Sequence, residues 1–169
     1  VVTTEWYIVN PSNGYARFSS DEKSAYQIIN RTKIKAFADL VKRCKSGALL
    51  CDADVVYRQD MRDHLSRLSD GIHSSVYQNN SFCAGVLFGK NLSDHSINTL
   101  LASDMDDEKL LTHLFWTRQM RIQSLDSTVF CTPKYGEVPS AAATIHYPGM
   151  LSVDMKCKLM RAATNFNLS

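Results

Sequence analysis

Residues 48–57 read Ala-Leu-Leu-Cys-Asp-Ala-Asp-Val-Val-Tyr, an apolar stretch that two aspartates interrupt. A short run of Val, Leu and Tyr that follows a glycine predicts a buried strand. Side chains alternate along a strand, so we expect Asp52 and Asp54 to point to the same side. Two ionised carboxylates beside a core need a partner. A hard divalent cation, Mg²⁺ or Mn²⁺, would be that partner because both prefer oxygen ligands.

Segments with strand and helix patterns alternate on both sides of this stretch. Ser19 and Glu22 fit a capping box at the start of a helix, and apolar residues then recur at helical spacing to about Cys44, as one helix or as two helices in series. This alternation predicts an α/β fold. Besides 48–57, the predicted strands are 1–9, 72–78, 81–88, 128–132 and 142–147, and the predicted helices are 19–44, 60–69, 93–102, 106–120 and 153–165.

Length and composition are those of an ordinary globular protein. The 169 residues predict a single domain over 1–169, and the net charge of +2 gives no reason to expect stable nucleic-acid binding. The five cysteines include no CxxC pair, which argues against structural zinc. No apolar run is long enough for a membrane span, and no signal peptide stands at the start. We therefore expect a cytoplasmic protein, or a fragment of a longer one, without a membrane span.

The segment around Asp52 and Asp54 resembles the D-x-D segment of nucleotide-sugar glycosyltransferases with the GT-A fold. The most similar groups are the glycogenin-like and the lipopolysaccharide galactosyltransferase-like retaining families. Four further motifs of these families have counterparts here in the same order. They are Arg31-Thr-Lys33 before the D-x-D segment, and Cys83-Ala-Gly-Val-Leu-Phe88, Asp107-Glu108 and His146-Tyr-Pro-Gly149 after it.

The resemblance implies a GT-A-like, Rossmann-like mixed sheet flanked by helices. It also implies transfer of a sugar from a nucleoside diphosphate sugar, a UDP-sugar, to an acceptor hydroxyl, and it favours retention of configuration. The sequence itself does not choose between retention and inversion, in which one carboxylate would act as general base on the acceptor hydroxyl. The Mn²⁺ or Mg²⁺ ligands would be Asp52, Asp54 and His146, and the catalytic residues would be Asp107 and Glu108. The donor would be bound by Lys33, Arg31, Asp52, Ala53, Ala84, Gly85, Gly149, Thr3 and Thr4.

The chain departs from the family pattern at three places. Cys83 stands where the families have Asn, and Ser152 stands where they have Lys, so Lys156 or Lys158 would have to replace that lysine. Only about twenty residues precede the helix that carries Lys33, which implies a reduced or truncated nucleotide-binding part.

Other interpretations of the same residues stay open. The acids at 52, 54 and 106–108 would also suit a metal-dependent phosphotransferase or nuclease. A sugar-binding module derived from a transferase is the non-catalytic alternative. Gly85 alone could relieve a bulge, and His146 alone could be a structural histidine. The acceptor, which could be a saccharide, a protein, a lipid or a modified base, and the oligomeric state are not predicted.

Overall fold

The helices and strands follow one another along most of the chain. The structure, a computed structural model, describes residues 20–44, 46–77, 81–133, 138–147 and 153–165. The helices in these ranges are α1 Ser20–Arg43, α2 Arg62–Ser66, α3 Asp94–Ala102, α4 Asp107–Trp116 and α5 Val153–Asn165. The strands are β1 Ala48–Cys51, β2 Val55–Tyr57, β3 Gly71–Val76, β4 Phe82–Lys90, β5 Ile122–Ser124, β6 Phe130–Cys131 and β7 Thr144–His146.

The strands form two mixed sheets. The first has the order β1-β4-β3-β5, in which β5 runs parallel to β3 and the other neighbours are antiparallel. The second has the order β2-β7-β6, with β2 antiparallel and β6 parallel to β7. The predicted α/β class is therefore confirmed as a mixed α/β fold whose sheets are flanked by helices.

Three apolar clusters hold the layers together. The largest packs α1, α3 and α4 against the four-stranded sheet, with Phe37 and Leu111 fully buried. A second cluster lies between the two sheets and joins Val86 of β4 to Val55 of β2. The third packs α5 on the three-stranded sheet around Ile145. The order of layers is thus helices, first sheet, second sheet and α5.

Helix α1 is one continuous helix, which is one of the two arrangements that the sequence allows, and its buried residues lie at helical spacing. Ile34, Phe37, Ala38 and Val41 are each at most 2% exposed and form one stripe against the first sheet. The basic residues Lys42 and Arg43 occupy the last turn, where the helix dipole favours positive charge.

Gly47 turns the chain from α1 into β1. Its φ is +132°, and a Cβ there would lie 2.5 Å from the Phe88 ring. We expect Gly47→Ala to lower the free energy of unfolding by about 1–3 kcal/mol, through backbone strain and overpacking. Urea denaturation measures this loss. The neighbouring exposed-site change Ser46→Ala should stay within about 0.5 kcal/mol of the wild type. An unchanged urea midpoint in Gly47→Ala would contradict the packing described here.

The prediction of a single strand over 48–57 is wrong. β1 ends at Cys51 and residues 52–54 turn the chain, so that β2 begins in the other sheet. The N–H of Val55 donates to the carbonyl of Asp52 across this turn at 3.2 Å. The apolar residues on the two sides serve different sheets, and the aspartates lie in the turn between them.

Several element boundaries also differ from the prediction. Helix α4 ends at Trp116 because Arg118 adopts a left-handed backbone (φ 54°) and its N–H bonds back to Phe115. The strands predicted at 128–132 and 142–147 shorten to β6 and β7, and β5 was not predicted. The predicted strand 1–9 and the capping residue Ser19 lie outside the described residues.

Within the described ranges, no helix is both long enough and apolar enough to cross a bilayer.

Candidate metal centre

The turn at 52–54 is fixed from both sheets. On one side, the N–H of Asp52 donates to the carbonyl of Gly85 in β4 at 2.9 Å. On the other side, the N–H of Tyr147 donates to the carbonyl of Asp54 at 3.1 Å. Val55 pairs with His146 across β2 and β7. The two aspartates therefore lie at the junction of the sheets, next to the end of β7.

Asp52, Asp54 and His146 converge on one point. The Nε2 atom of His146 lies 3.3 Å from Oδ1 of Asp54 and 3.9 Å from Oδ2 of Asp52. One ligand atom from each of the three residues falls within 4.8 Å of the others. Adjacent ligands of an octahedral ion with bonds near 2.1 Å are about 3 Å apart. The distance between His146 and Asp54 is close to this value, whereas the wider distances to Asp52 would have to shorten around a small divalent cation. Two carboxylates and one imidazole are also a donor set that Mn²⁺ or Mg²⁺ accepts, the nitrogen favouring Mn²⁺.

Two residues of β4 set the orientation of the His146 ring. Its Nδ1 atom lies 3.2 Å from the Sγ atom of Cys83, which leaves Nε2 facing the aspartates. A Cβ on Gly85 would overlap the ring, with 2.6 Å to Nε2. Gly85 lies in the part of β4 where the register with β3 shifts, between Cys83 and Leu87. The absence of a side chain there makes room for the imidazole.

The local electrostatic field favours positive charge. Burial alone would lower the pKa of His146, but hydrogen bonds and charges from Asp54 and Cys83 outweigh it and raise the pKa to about 9. Burial alone would raise the pKa of Asp54, but His146 and Lys156 outweigh it and lower the pKa to about 2. The carboxylate is thus ionised at neutral pH. A divalent cation at this point would have to displace the proton on His146, because only the neutral imidazole coordinates a metal ion.

Lys33 connects this cluster to helix α4. Its Nζ atom lies 3.0 Å from Oδ1 of Asp52 and 2.5 Å from Oδ2 of Asp107. Burial alone would lower the pKa of Lys33, but the two carboxylates raise it above its ordinary value, so the ammonium stays charged. The structure therefore brings together three predicted site residues, Lys33 from α1, Asp52 from the turn and Asp107 from α4.

A second lysine reaches the site from the other side. Lys156 of α5 forms an ion pair with Oδ2 of Asp54. Both side chains are largely buried, with 18% and 23% exposed. Of the two lysines that the sequence offered as replacements at the end of the chain, Lys156 occupies the site, whereas Lys158 lies on an exposed position of α5.

The two acids at the start of α4 have different surroundings. Asp107 is 2% exposed, and its oxygens contact Lys33 and the N–H of Glu108. Burial raises the pKa of Asp107, although Lys33 opposes the rise. Glu108 is less buried and accepts a hydrogen bond of 2.7 Å from the Tyr77 hydroxyl. Burial also raises the pKa of Glu108, with Tyr77 opposing.

The other predicted donor-binding residues are distributed more widely. Ala53 is exposed in the turn between the aspartates. The Ala84 side chain is 1% exposed and packs in the helix-side core. Arg31 lies two residues before Lys33, so the two side chains leave α1 in different directions. The Nε atom of Arg31 is buried and has no hydrogen-bond partner in the described part of the chain. Thr3, Thr4 and Gly149 lie outside the described residues.

Tyr77 is a neighbour of the site that the sequence did not indicate. Burial raises its pKa, and hydrogen bonds to Glu108 and Cys83 raise it further. Tyr77 thus links Glu108 to the sulfur that contacts His146. The sequence held no direct signal for Tyr77. It named only Cys83, the partner of Tyr77, which stands two residues before Gly85 in the matched motif.

Neither the family models nor the curated proteins assign the chain to a family. No family model matches the chain, and no curated protein matches it. The chemistry of the site therefore carries the functional argument.

Proposed function

We propose that the chain is a metal-dependent glycosyltransferase with a GT-A-like fold that uses a nucleoside diphosphate sugar, a UDP-sugar, as donor. The observation that carries this proposal is the convergence of Asp52, Asp54 and His146 between two lysines. The carboxylate oxygens could bind a cation, and the lysine ammonium groups beside them could bind an anion. A diphosphate bound together with a divalent metal ion has the matching pattern of charge.

The metal site would be formed by Asp52, Asp54 and His146. A bound Mn²⁺ or Mg²⁺ supplies positive charge that stabilises a departing diphosphate. The proximity of Lys33 and Lys156 supports a role for both ammonium groups in binding phosphate oxygens. These lysines contact the aspartates, and an arriving anion would compete for them.

The two acids of α4 would have separate tasks. Asp107 is buried and bound through both oxygens, which supports a role in holding Lys33 in place. Glu108 is more accessible and lines a surface groove, which supports a role near the acceptor hydroxyl. Its raised pKa would help it exchange a proton with that hydroxyl.

Thermal unfolding with Mn²⁺ and a panel of nucleoside diphosphates tests this function. UDP at one hundred times its Kd should stabilise the native state by about 2.7 kcal/mol. For a domain of this size, this corresponds to a rise in Tm of about 5–11 °C. The rise should require the metal and should be absent from Asp54→Ala, since that variant lacks one ligand.

Asp60→Ala is the matched control. Asp60 is an exposed acid in the same segment, and it pairs with Arg62. This variant should keep the full response to UDP and Mn²⁺. No response of the wild type to any nucleotide, together with cleavage of nucleic acid, would refute the glycosyltransferase proposal in favour of a nuclease.

A further inference from the structure

A chain of hydrogen-bonded side chains runs from His146 to Glu108. The Sγ atom of Cys83 lies 3.2 Å from Nδ1 of His146. The same thiol is hydrogen-bonded to the Tyr77 hydroxyl, and that hydroxyl donates to Oε1 of Glu108 at 2.7 Å. The chain thus joins the candidate metal centre to the first turn of α4, where Glu108 lies.

Cys83, in the middle of this chain, is fixed in place and closed to solvent. Its side chain is fully buried, as is that of His146. Its carbonyl accepts hydrogen bonds from the hydroxyls of Ser74 and Ser75, at 3.0 Å and 2.8 Å. These bonds hold the backbone of Cys83 where the register between β3 and β4 shifts. The thiol therefore makes its hydrogen bonds with the neighbouring side chains and not with bulk water.

The number of available hydrogens gives the chain a direction. An ionised Glu108 carboxylate can only accept, so the single hydrogen of the Tyr77 hydroxyl points to it. Tyr77 must then accept the single hydrogen of the Cys83 thiol. The thiol has no second hydrogen for His146, so the contact between them needs a hydrogen on Nδ1. All three bonds point towards Glu108, and bonds aligned in this way strengthen one another.

We propose that Cys83 and Tyr77 are positioning residues of the metal centre, which together with Glu108 keep a hydrogen on Nδ1 of His146 and leave Nε2 to the cation. This proposal rests on the metal site of the function proposed above. A hydrogen bond from the second nitrogen of a ligating imidazole fixes the ring orientation and makes the ligand more basic. The chain would therefore raise the affinity for Mn²⁺ without contacting the ion.

Titration with Mn²⁺, followed by electron paramagnetic resonance of the free ion, tests this role. Cys83→Ala removes the acceptor beside Nδ1 and should weaken Mn²⁺ binding by about 10–100-fold. Cys83→Ser keeps one donor and one acceptor at the same position, so it should recover most of the affinity. Tyr77→Phe removes one bond of the chain and should weaken binding by about fivefold. Tyr77 is only partly buried, so this variant should keep the fold.

Tyr57→Phe is the matched control for Tyr77→Phe. The Tyr57 hydroxyl also forms a hydrogen bond with a thiol, but that thiol belongs to Cys51. The same substitution at this position should therefore leave the affinity for Mn²⁺ unchanged.

Nuclear magnetic resonance of the metal-free protein, labelled with ¹⁵N-histidine, gives a readout that does not depend on the metal. The Nδ1–H group of His146 should exchange slowly with water in the wild type, because it is buried and hydrogen-bonded. Its resonance should be lost through faster exchange in Cys83→Ala and should return in Cys83→Ser.

The outcomes separate the chain from the transferase. Wild-type Mn²⁺ affinity in Cys83→Ala or Tyr77→Phe, or an equal loss in Tyr57→Phe, would overturn the chain and leave the transferase standing. Serine as weak as alanine at position 83 would attribute the effect to packing of the sulfur and would also overturn the chain. Mn²⁺ binding that depends on the chain, without any response to UDP, would refute the transferase and keep the chain. Failure of the wild type to bind Mn²⁺ would overturn both.

Discussion

Replacing Lys33 with methionine is expected to lower the free energy of unfolding by about 3–5 kcal/mol. The side chain of Asp107 is only 3% exposed, and Lys33 is the cation against its Oδ2 atom. Methionine keeps the length of the side chain but leaves this carboxylate buried without a counterion. Asp52 loses the same partner. Urea denaturation followed by circular dichroism measures the loss.

A double variant shows whether the buried charge is the cause. Lys33→Met combined with Asp107→Leu removes both members of the pair, so it should regain more than half of the stability that Lys33→Met loses. A loss below about 1 kcal/mol in Lys33→Met would mean that the pair contributes little. Equal instability of the single and double variants would attribute the effect to packing.

The loss in Lys33→Met should also depend on pH. Burial raises the pKa of Asp107 and Lys33 opposes that rise, so removing Lys33 raises the folded-state pKa further above its unfolded value. An acid with a raised folded-state pKa loses stability as the pH rises from its unfolded to its folded pKa. The deficit relative to the wild type should therefore be smaller at about pH 5 than at about pH 8. A deficit that is independent of pH would contradict this origin.

Gly85→Ala is expected to weaken Mn²⁺ binding by about 10–100-fold, the usual effect of disturbing a residue that supports a metal ligand. The new Cβ would overlap the His146 ring and displace Nε2 from the two aspartates. Electron paramagnetic resonance of free Mn²⁺ in a titration measures the affinity directly. The result does not depend on knowing the donor or the acceptor.

Gly89→Ala provides the matched control for this change. It is the same substitution in the same strand, but its Cβ would meet Val41 and Phe37 of α1, at 2.6 Å and 2.8 Å. It should lower stability by about 1–3 kcal/mol and leave Mn²⁺ affinity unchanged in the folded protein. Wild-type affinity in Gly85→Ala, or an equal loss in both variants, would contradict the assigned role of Gly85.

Local patterns in the sequence predicted the helices well. The spacing of Ile34, Phe37 and Val41 is sufficient to predict α1, because a helix depends on residues three and four positions apart. The sequence likewise offered Ser93 or Asp94 as the cap of the helix predicted at 93–102, and in α3 the Ser93 side chain accepts a hydrogen bond from the N–H of Ser96. The end of α4 was missed because Arg118 adopts a left-handed backbone that is rare for a residue other than glycine.

Features that depend on distant partners could not be predicted in the same way. The break between β1 and β2 follows from pairing with β4 on one side and β7 on the other, and the apolar residues alone do not distinguish two strands from one. The short strand β5 exists because it lies beside β3. Lys156 is 102 residues from Asp54, so only the folded chain shows their contact. The order of the motifs nevertheless predicted which residues meet in the site, since Lys33, Asp52, Asp54, Gly85, Asp107 and His146 are all found there or directly beside it.

Because the turn at 52–54 connects the two sheets, the geometry of the candidate site depends on how the sheets are aligned. The position of Asp52 depends on the first sheet, through its bond to Gly85, whereas Asp54 and His146 belong to the second. Sliding one sheet past the other would change the distances from Asp52 to its two companions. Asp54 and His146 would move together in such a slide, because β2 and β7 pair with each other. The geometry of the proposed metal site therefore depends on how the two sheets are aligned, and the packing of Val86 against Val55 between the sheets affects this geometry from a distance.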